Sequence, residues 1–234
     1  MSALSYRRVG HKGADHIAPG NTIASFDAAL AAGVDMVEFD VLPTADGRLV
    51  LAHDVEDSRR PNVLTLEQGL DHLVTDAYAG VELDVDLKRA GYEREVIEAL
   101  RARGLIERTL ISTMEEESLP VVRALEPAVR LGWSVPKLRR NPLSNPLTKP
   151  IALLFAYEYR RRLAGRVAAK LRAGAIDAVM AHFAVVDARL VRTVTEAGGE
   201  LYVWTVDDPG RIARLERLGV TGIISNDPRL FVSG

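Results

Sequence analysis

Five times along this chain a helical pattern stops at a glycine, and an extended apolar run begins within a few residues. The stops are Gly33, Gly104, Gly174, Gly198 and Gly219. A glycine there supplies the left-handed backbone that ends a helix, and a strand following so closely marks a repeating strand–helix unit. Hydrophobic period then gives strands at 6–10, 37–41, 81–88, 109–112, 128–133, 176–180, 201–206 and 222–225. Helices are expected from Ile23 with Asn21 as cap, from a capping box of Thr65 and Gln68, and over 93–103, 118–125 and 151–172. Two more are expected, one capped by Asp187 and one begun by Pro209. Eight strands alternating with helices is the number a closed parallel (β/α)8 TIM barrel needs. An open doubly wound sheet is the rival, but no G-x-G-x-x-G follows the first strand to favour a dinucleotide-binding version.

The 234 residues and 47% hydrophobic content suit one well-cored domain spanning 1–234. A net charge of −2 gives no global case for nucleic acid, and the absence of cysteine excludes disulfides, thiolate metal sites and a cysteine nucleophile. No apolar run approaches the roughly 20 residues of a membrane span, and the first ten residues lack a signal-peptide core, so a cytoplasmic protein is expected.

One strand breaks the regular alternation. In VEFDVLPTADGRLVLAHD, 37–54, Glu38 and Asp40 share one face while Val37, Phe39 and Val41 share the other. Ala45-Asp46-Gly47 is a turn, and Arg48–Ala52 reads as a return arm. A parallel neighbour cannot be reached through so short a turn. The strand is therefore expected to overshoot the barrel top and fold back as a β-hairpin above the C-terminal mouth. A turn centred between Ala45 and Asp46 would set His53 opposite Glu38 and Leu51 opposite Asp40.

In such a barrel the functional groups sit at the C-terminal strand ends. Those ends carry His11, Lys12, Glu38, Asp40, Asp86, Lys88, Ser112, Trp133, His182 and Trp204, with His53 joining through the hairpin. In VELDVDLK, 81–88, the acidic residues and Lys88 alternate with the apolar ones, which directs the charged set inward. Buried carboxylates are costly without a partner. A divalent cation held by Glu38, Asp40 and Asp86 would offset that cost, and an all-oxygen ligand set favours Mg²⁺ or Ca²⁺. A plain Asp86–Lys88 ion pair is the alternative.

HKG at 11–13, APGNT at 18–22, EFDV at 38–41, AHD at 52–54, DLK at 86–88, VWTVDD at 203–208 and GVTGIISNDP at 219–228 resemble the glycerophosphodiester phosphodiesterase family. The motifs stand in family order over nearly the whole chain. The resemblance implies a TIM barrel enzyme that cleaves a glycerophosphodiester to glycerol phosphate and an alcohol. It implies His11 and His53 as the acid/base pair, Glu38, Asp40 and Asp86 as metal ligands, and Lys12 and Lys88 as substrate contacts; Trp204 either packs the barrel mouth or contacts the substrate. Lys12 stands where the family usually has Arg, Gly20 replaces the usual Glu, and Asp86 stands for a Glu. The segment between His53 and Thr65 is short, which implies an open site.

Two further readings follow. Residues 137–172 carry ten basic groups (Lys137, Arg139, Arg140, Lys149, Arg160, Arg161, Arg162, Arg166, Lys170 and Arg172) against Glu158 alone. This stretch is either a solvated helix face or a peripheral contact with anionic membrane, with Ile151, Leu154 and Phe155 entering the interface. A membrane contact would suit a phospholipase D-like activity on lysophospholipids. A non-catalytic phosphate-binding barrel is the alternative outside enzymes.

Overall fold

The computed structural model describes residues 6–137 and 149–231; of the helix that begins at Lys149, it describes side chains from residue 158 onward. The strands are β1 (Arg7–Gly10), β2 (Met36–Pro43), β3 (Leu49–Val50), β4 (Glu82–Leu87), β5 (Thr109–Thr113), β6 (Arg130–Val135), β7 (Ala178–His182), β8 (Glu200–Trp204) and β9 (Gly222–Ser225). The helices are α1 (Ile23–Ala31), α2 (Leu66–Leu73), α3 (Glu93–Arg101), α4 (Ser118–Leu125), α5 (Lys149–Arg172), α6 (Ala188–Glu196) and α7 (Pro209–Leu218). All strands but β3 pair in parallel, in the order β1-β9-β8-β7-β6-β5-β4-β2, and β1 pairs with β2 to close the ring. This is the eight-stranded TIM barrel that the sequence implied. The five glycines that punctuate the chain all take positive φ.

Outward residues of the strands, Val37, Phe39, Val41, Leu83, Val85, Leu87, Ile111, Leu131 and Val179 among them, pack on the helices in one large core. Inward residues Val9, Met36, Leu110, Ala178, Met180, Tyr202 and Ile224 fill the barrel. Below them Arg7 and Arg130 each pair with both Glu82 and Glu200, at 2.6 to 3.5 Å. That ring closes the N-terminal end.

β6 and β7 begin two residues later than apolar period suggested. Arg130 opens β6 because its guanidinium belongs to the charged ring, so the apolar pair before it is approach chain. Asp177 delays β7: it accepts from the Leu131 backbone N–H at 2.8 Å and pairs with Arg123. Asn21 is not the cap of α1. Thr22 is, accepting from the Ser25 N–H at 3.2 Å. The Thr65–Gln68 capping box forms as expected.

The β2–β3 hairpin forms, but its register differs by one residue. Leu42 faces Val50 and Pro43 faces Leu49. The cause is an odd, three-residue turn: the Thr44 N–H donates to the Arg48 carbonyl at 2.8 Å, and Gly47 takes φ 84°. A one-residue shift exchanges faces, so His53 is not delivered opposite Glu38 by the ladder. The ladder instead ends at Val50, whose other edge bridges to Thr65, and the chain leaves toward the rim.

Candidate active site

Alternation along β2 and β4 aims Glu38, Asp40, Asp84 and Asp86 into the upper barrel, where Glu38, Asp40 and Asp84 are buried. Carboxylate oxygens of Glu38, Asp40 and Asp86 lie within 4.8 Å of one another. Lys88 sits among them, its Nζ 2.5 Å from both Asp40 Oδ1 and Asp86 Oδ2. Asp86 Oδ1 and Asp84 Oδ1 are buried and accept no hydrogen bond. Three carboxylates within reach of one another, with an orphaned oxygen among them, fit a divalent cation.

The charges here are strongly perturbed. Burial raises the Glu38 carboxyl well above its ordinary range, and Asp40, Asp84 and Asp86 add to the effect. Burial likewise pushes Asp84 up to about 8, although Ser112 hydrogen-bonds to it. Burial also works against Asp40, but the Lys88 ammonium beside it outweighs that and holds Asp40 well below the usual carboxylate range. Lys88 stays charged because Asp40, Asp86 and Glu38 overcome its own desolvation.

His11 follows β1, with its Nε2 3.9 Å from Glu38 Oε2. Its Nδ1 meets Asn226 Oδ1 at 2.6 Å. The Asn226 amide is oriented from behind: Nδ2 donates to Asp207 Oδ2 at 2.7 Å, and Asp207 Oδ1 accepts from Ser225 Oγ and the Asn226 backbone N–H. Asn226 thus presents its oxygen to the ring, so Nδ1 carries the proton and Nε2 keeps its lone pair for the site. Burial lowers the His11 pKa, which favours that neutral form.

The loop after β1 is folded tightly over the acids. Lys12 and Asn21 both take left-handed backbone, φ 51° and 58°. The Lys12 N–H donates to Glu38 Oε2 at 2.7 Å. Asn21 donates from Nδ2 to Asp40 Oδ2 at 2.8 Å and accepts the Asp40 N–H at 3.1 Å. The Lys12 ammonium lies 3.5 Å from Asp15.

Of the sequence-derived site residues, His11, Lys12, Glu38, Asp40, Asp86 and Lys88 therefore converge. Trp204 lines the barrel top and donates from Nε1 to the Met180 carbonyl at 2.8 Å. His53 stands at the rim with its side chain half exposed, 3.9 Å from Asp54. Asp54 itself caps the turn at Asp57. Trp133 points outward beneath α5, under Arg166 and Lys170, and is no part of the mouth. Sequence reasoning assigned no role to Asn226 or Asp207 and misassigned Asn21. Asn226 and Asp207 lay inside the NDP and VDD motifs, which were the available signal.

The glycerophosphoryl diester phosphodiesterase family profile matches residues 11–91 and 63–230. A glycerophosphodiester phosphodiesterase of Caldanaerobacter subterraneus subsp. tengcongensis is 26% identical over 257 residues, covering 96% of each chain. Solved structures share the fold. A glycerophosphodiester phosphodiesterase of Parabacteroides distasonis superposes with a TM-score of 0.73 at 19% identity, over 96% of this chain and 94% of that one. An Oleispira antarctica phosphodiesterase, solved with the product sn-glycerol-3-phosphate, superposes with a TM-score of 0.68 at 20% identity, over 95% and 94%.

Proposed function

The chain belongs to the glycerophosphoryl diester phosphodiesterase family, a family of enzymes, and from that premise we propose that it hydrolyses a glycerophosphodiester to glycerol phosphate and an alcohol at the barrel mouth. The observation that carries the reading is the convergence of Glu38, Asp40 and Asp86, within 4.8 Å of one another, with His11 Nε2 3.9 Å from Glu38. These three carboxylates hold a divalent cation, Mg²⁺ or Ca²⁺. When bound, the cation neutralises phosphate oxygens and makes the phosphorus more electrophilic.

The chain's own residues do the rest. His11 takes a proton at Nε2 from the attacking water or substrate hydroxyl, and Asn226 keeps Nδ1 protonated meanwhile. His53, at the rim, gives a proton to the departing alkoxide. Lys88 holds Asp40 ionised and pairs with Asp86, and its ammonium together with that of Lys12 meets the phosphate. Trp204 walls the site. The test is turnover of a glycerophosphodiester by wild type, with and without chelator, and by His11→Ala. Equal rates in all three would overturn the reading.

A second reading, a lipid-directed phospholipase D-like activity on lysophospholipids, is favoured by the short excursion from His53 to Thr65. The basic stretch supports it less than its charge suggested. Arg161 and Arg162 both pair with Glu158, Arg166 and Lys170 share Glu116, and Lys137 meets Glu115. Arg139 and Arg140, and the side chains of Lys149, Ile151, Leu154 and Phe155, lie outside the described residues. Among the described residues no helix is long and apolar enough to cross a membrane. Peripheral contact is tested by co-sedimentation with anionic vesicles at low and high salt, comparing wild type with Arg160, Arg161 and Arg162 all changed to Glu. Equal sedimentation of the two proteins would exclude the segment as the dock.

A further inference from the structure

Beside the mouth, and apart from the carboxylate centre, lies a cleft of about 250 Å³ between α5, the turn after β7 and α7. Three arginines line it: Arg160, Arg211 and Arg214. Its remaining walls are Phe183, Ala184, Val186, Leu215 and Leu218, so no carboxylate lines it. Arg160 donates to the Ala184 carbonyl, which ties its guanidinium to the cleft wall. The Arg211 guanidinium lies 3.8 Å from the centre of the Phe183 ring. Stacking fixes the plane of a guanidinium but leaves its edge N–H groups free to donate.

Three arginines on the walls of one small cleft, with no carboxylate among its lining residues, make it attractive to an anion. Apolar walls strengthen the attraction, because charge is screened less there than in open water. Phosphate matches the arginine fork with two parallel hydrogen bonds. Phe183, Val186, Leu215 and Leu218 offer contact to a few aliphatic carbons. At this volume the cleft holds a phosphate and a three-carbon stem, and it is smaller than the cavities that enclose drug-sized ligands. It is also close to the mouth. Phe183 stacks on His182 with centroids 4.2 Å apart, and His182 meets Trp204 edge-on at 5.1 Å.

We propose that Arg160, Arg211 and Arg214 form a second phosphate site for a phosphate group on a short aliphatic stem, separate from the site that performs hydrolysis. Two sources share this chemistry: a free phosphate ester, and the headgroup of an anionic lipid. The site does not depend on the catalytic reading, and it binds with the divalent cation removed.

The experiment is an amide NMR titration of the full chain in chelator, with inorganic phosphate and then glycerol 3-phosphate as probes and chloride as the ionic-strength control. Saturable shifts at Phe183, Ala184, Arg211 and Arg214 are expected, with a dissociation constant of roughly 1 mM. R211E/R214E should weaken binding by roughly tenfold or more, and R211K/R214K by less, because lysine lacks the fork. Turnover of a glycerophosphodiester with an uncharged alcohol should stay within about twofold in both variants. Phosphatidate vesicles, set against phosphatidylcholine vesicles, then identify the source. Loss of phosphatidate binding in R211E/R214E identifies a lipid headgroup, and wild type that binds glycerol 3-phosphate but no vesicle identifies a soluble ester. Wild-type shifts that chloride reproduces, or that fall elsewhere, would overturn the proposal even if a variant failed to fold.

Discussion

Replacing Asn226 separates the roles of the groups around His11. In Asn226→Ala the ring loses the acceptor 2.6 Å from Nδ1. One neutral hydrogen bond is worth about 0.5–1.5 kcal/mol, and the freed imidazole then divides between tautomers. A loss of roughly tenfold in kcat/KM is expected, below the 10² or more that removing the base itself would cost. In Asn226→Asp a carboxylate takes the place of the amide. At about 4 Å and an effective dielectric constant near 20, the charges attract by roughly 4 kcal/mol, an upper bound on a rise of about 1–3 pH units in the His11 pKa. The direction can be stated in advance. Burial lowers the pKa of His11 from its ordinary value, which favours the neutral form that a base requires, so the acid limb of the wild-type rate profile is expected on the acid side of that value. A bound cation lowers it further and does not change the sign. Asn226→Asp should move that limb upward, costing activity at neutral pH and returning it in alkali. The assay is kcat/KM for a glycerophosphodiester between about pH 5 and 9. An acid limb unmoved in Asn226→Asp, with wild-type kcat/KM in Asn226→Ala, would refute the assignment of His11 as the base.

Chelator should abolish turnover, and Mg²⁺ or Ca²⁺ should restore it and raise the melting temperature; a cation-dependent shift as large in Asp86→Asn as in wild type would remove Asp86 from the ligand set. His53→Ala should cut turnover by roughly 10²-fold with the fold intact, and near-normal turnover would remove the rim histidine from the mechanism. Lys88→Met strands two carboxylates and should cost about 3–5 kcal/mol of stability in urea titration of the metal-free protein; an unchanged midpoint would mean that the acids do not need their lysine. Gly20→Ala would place its Cβ 2.6 Å from Asp15 Oδ1 and 2.8 Å from Lys12 Cβ. It should cost roughly 1–3 kcal/mol and displace Lys12, so a variant with wild-type stability and KM would show that the loop yields freely.

Much of this was legible in the chain. Period-two alternation in 81–88 correctly aimed Asp84, Asp86 and Lys88 inward, because a strand's faces follow from its covalent geometry. The glycine stops fixed where helices ended. The failures came where a local signal had two physical uses. Asn21 looks like a helix cap because a short amide accepts backbone hydrogen bonds, but the left-handed backbone at 21 turns the same amide onto Asp40. The hairpin register failed because turn residues announce a reversal without stating its length, and three residues in place of two exchange the faces. Asn226, with Asp207 behind it, meets His11 only when β9 closes the ring beside β1, a contact between residues 215 positions apart in sequence.

The barrel interior carries two charged layers of similar composition, and they differ in how far their charges are met. At the N-terminal end, Arg7 and Arg130 alternate with Glu82 and Glu200, and each acid has two guanidinium partners. That layer is neutral and satisfied, so it needs nothing from outside and serves as a plug. At the C-terminal end Glu38, Asp40, Asp84 and Asp86 share one buried lysine. The imbalance appears as carboxyl groups pushed upward at Glu38 and Asp84, and as an oxygen on Asp86 without a partner. A buried excess of negative charge is tolerated only if protons or a cation relieve it. Protons do so at a cost in acidity, whereas a divalent cation, if held by Glu38, Asp40 and Asp86, would relieve all three carboxylates at once.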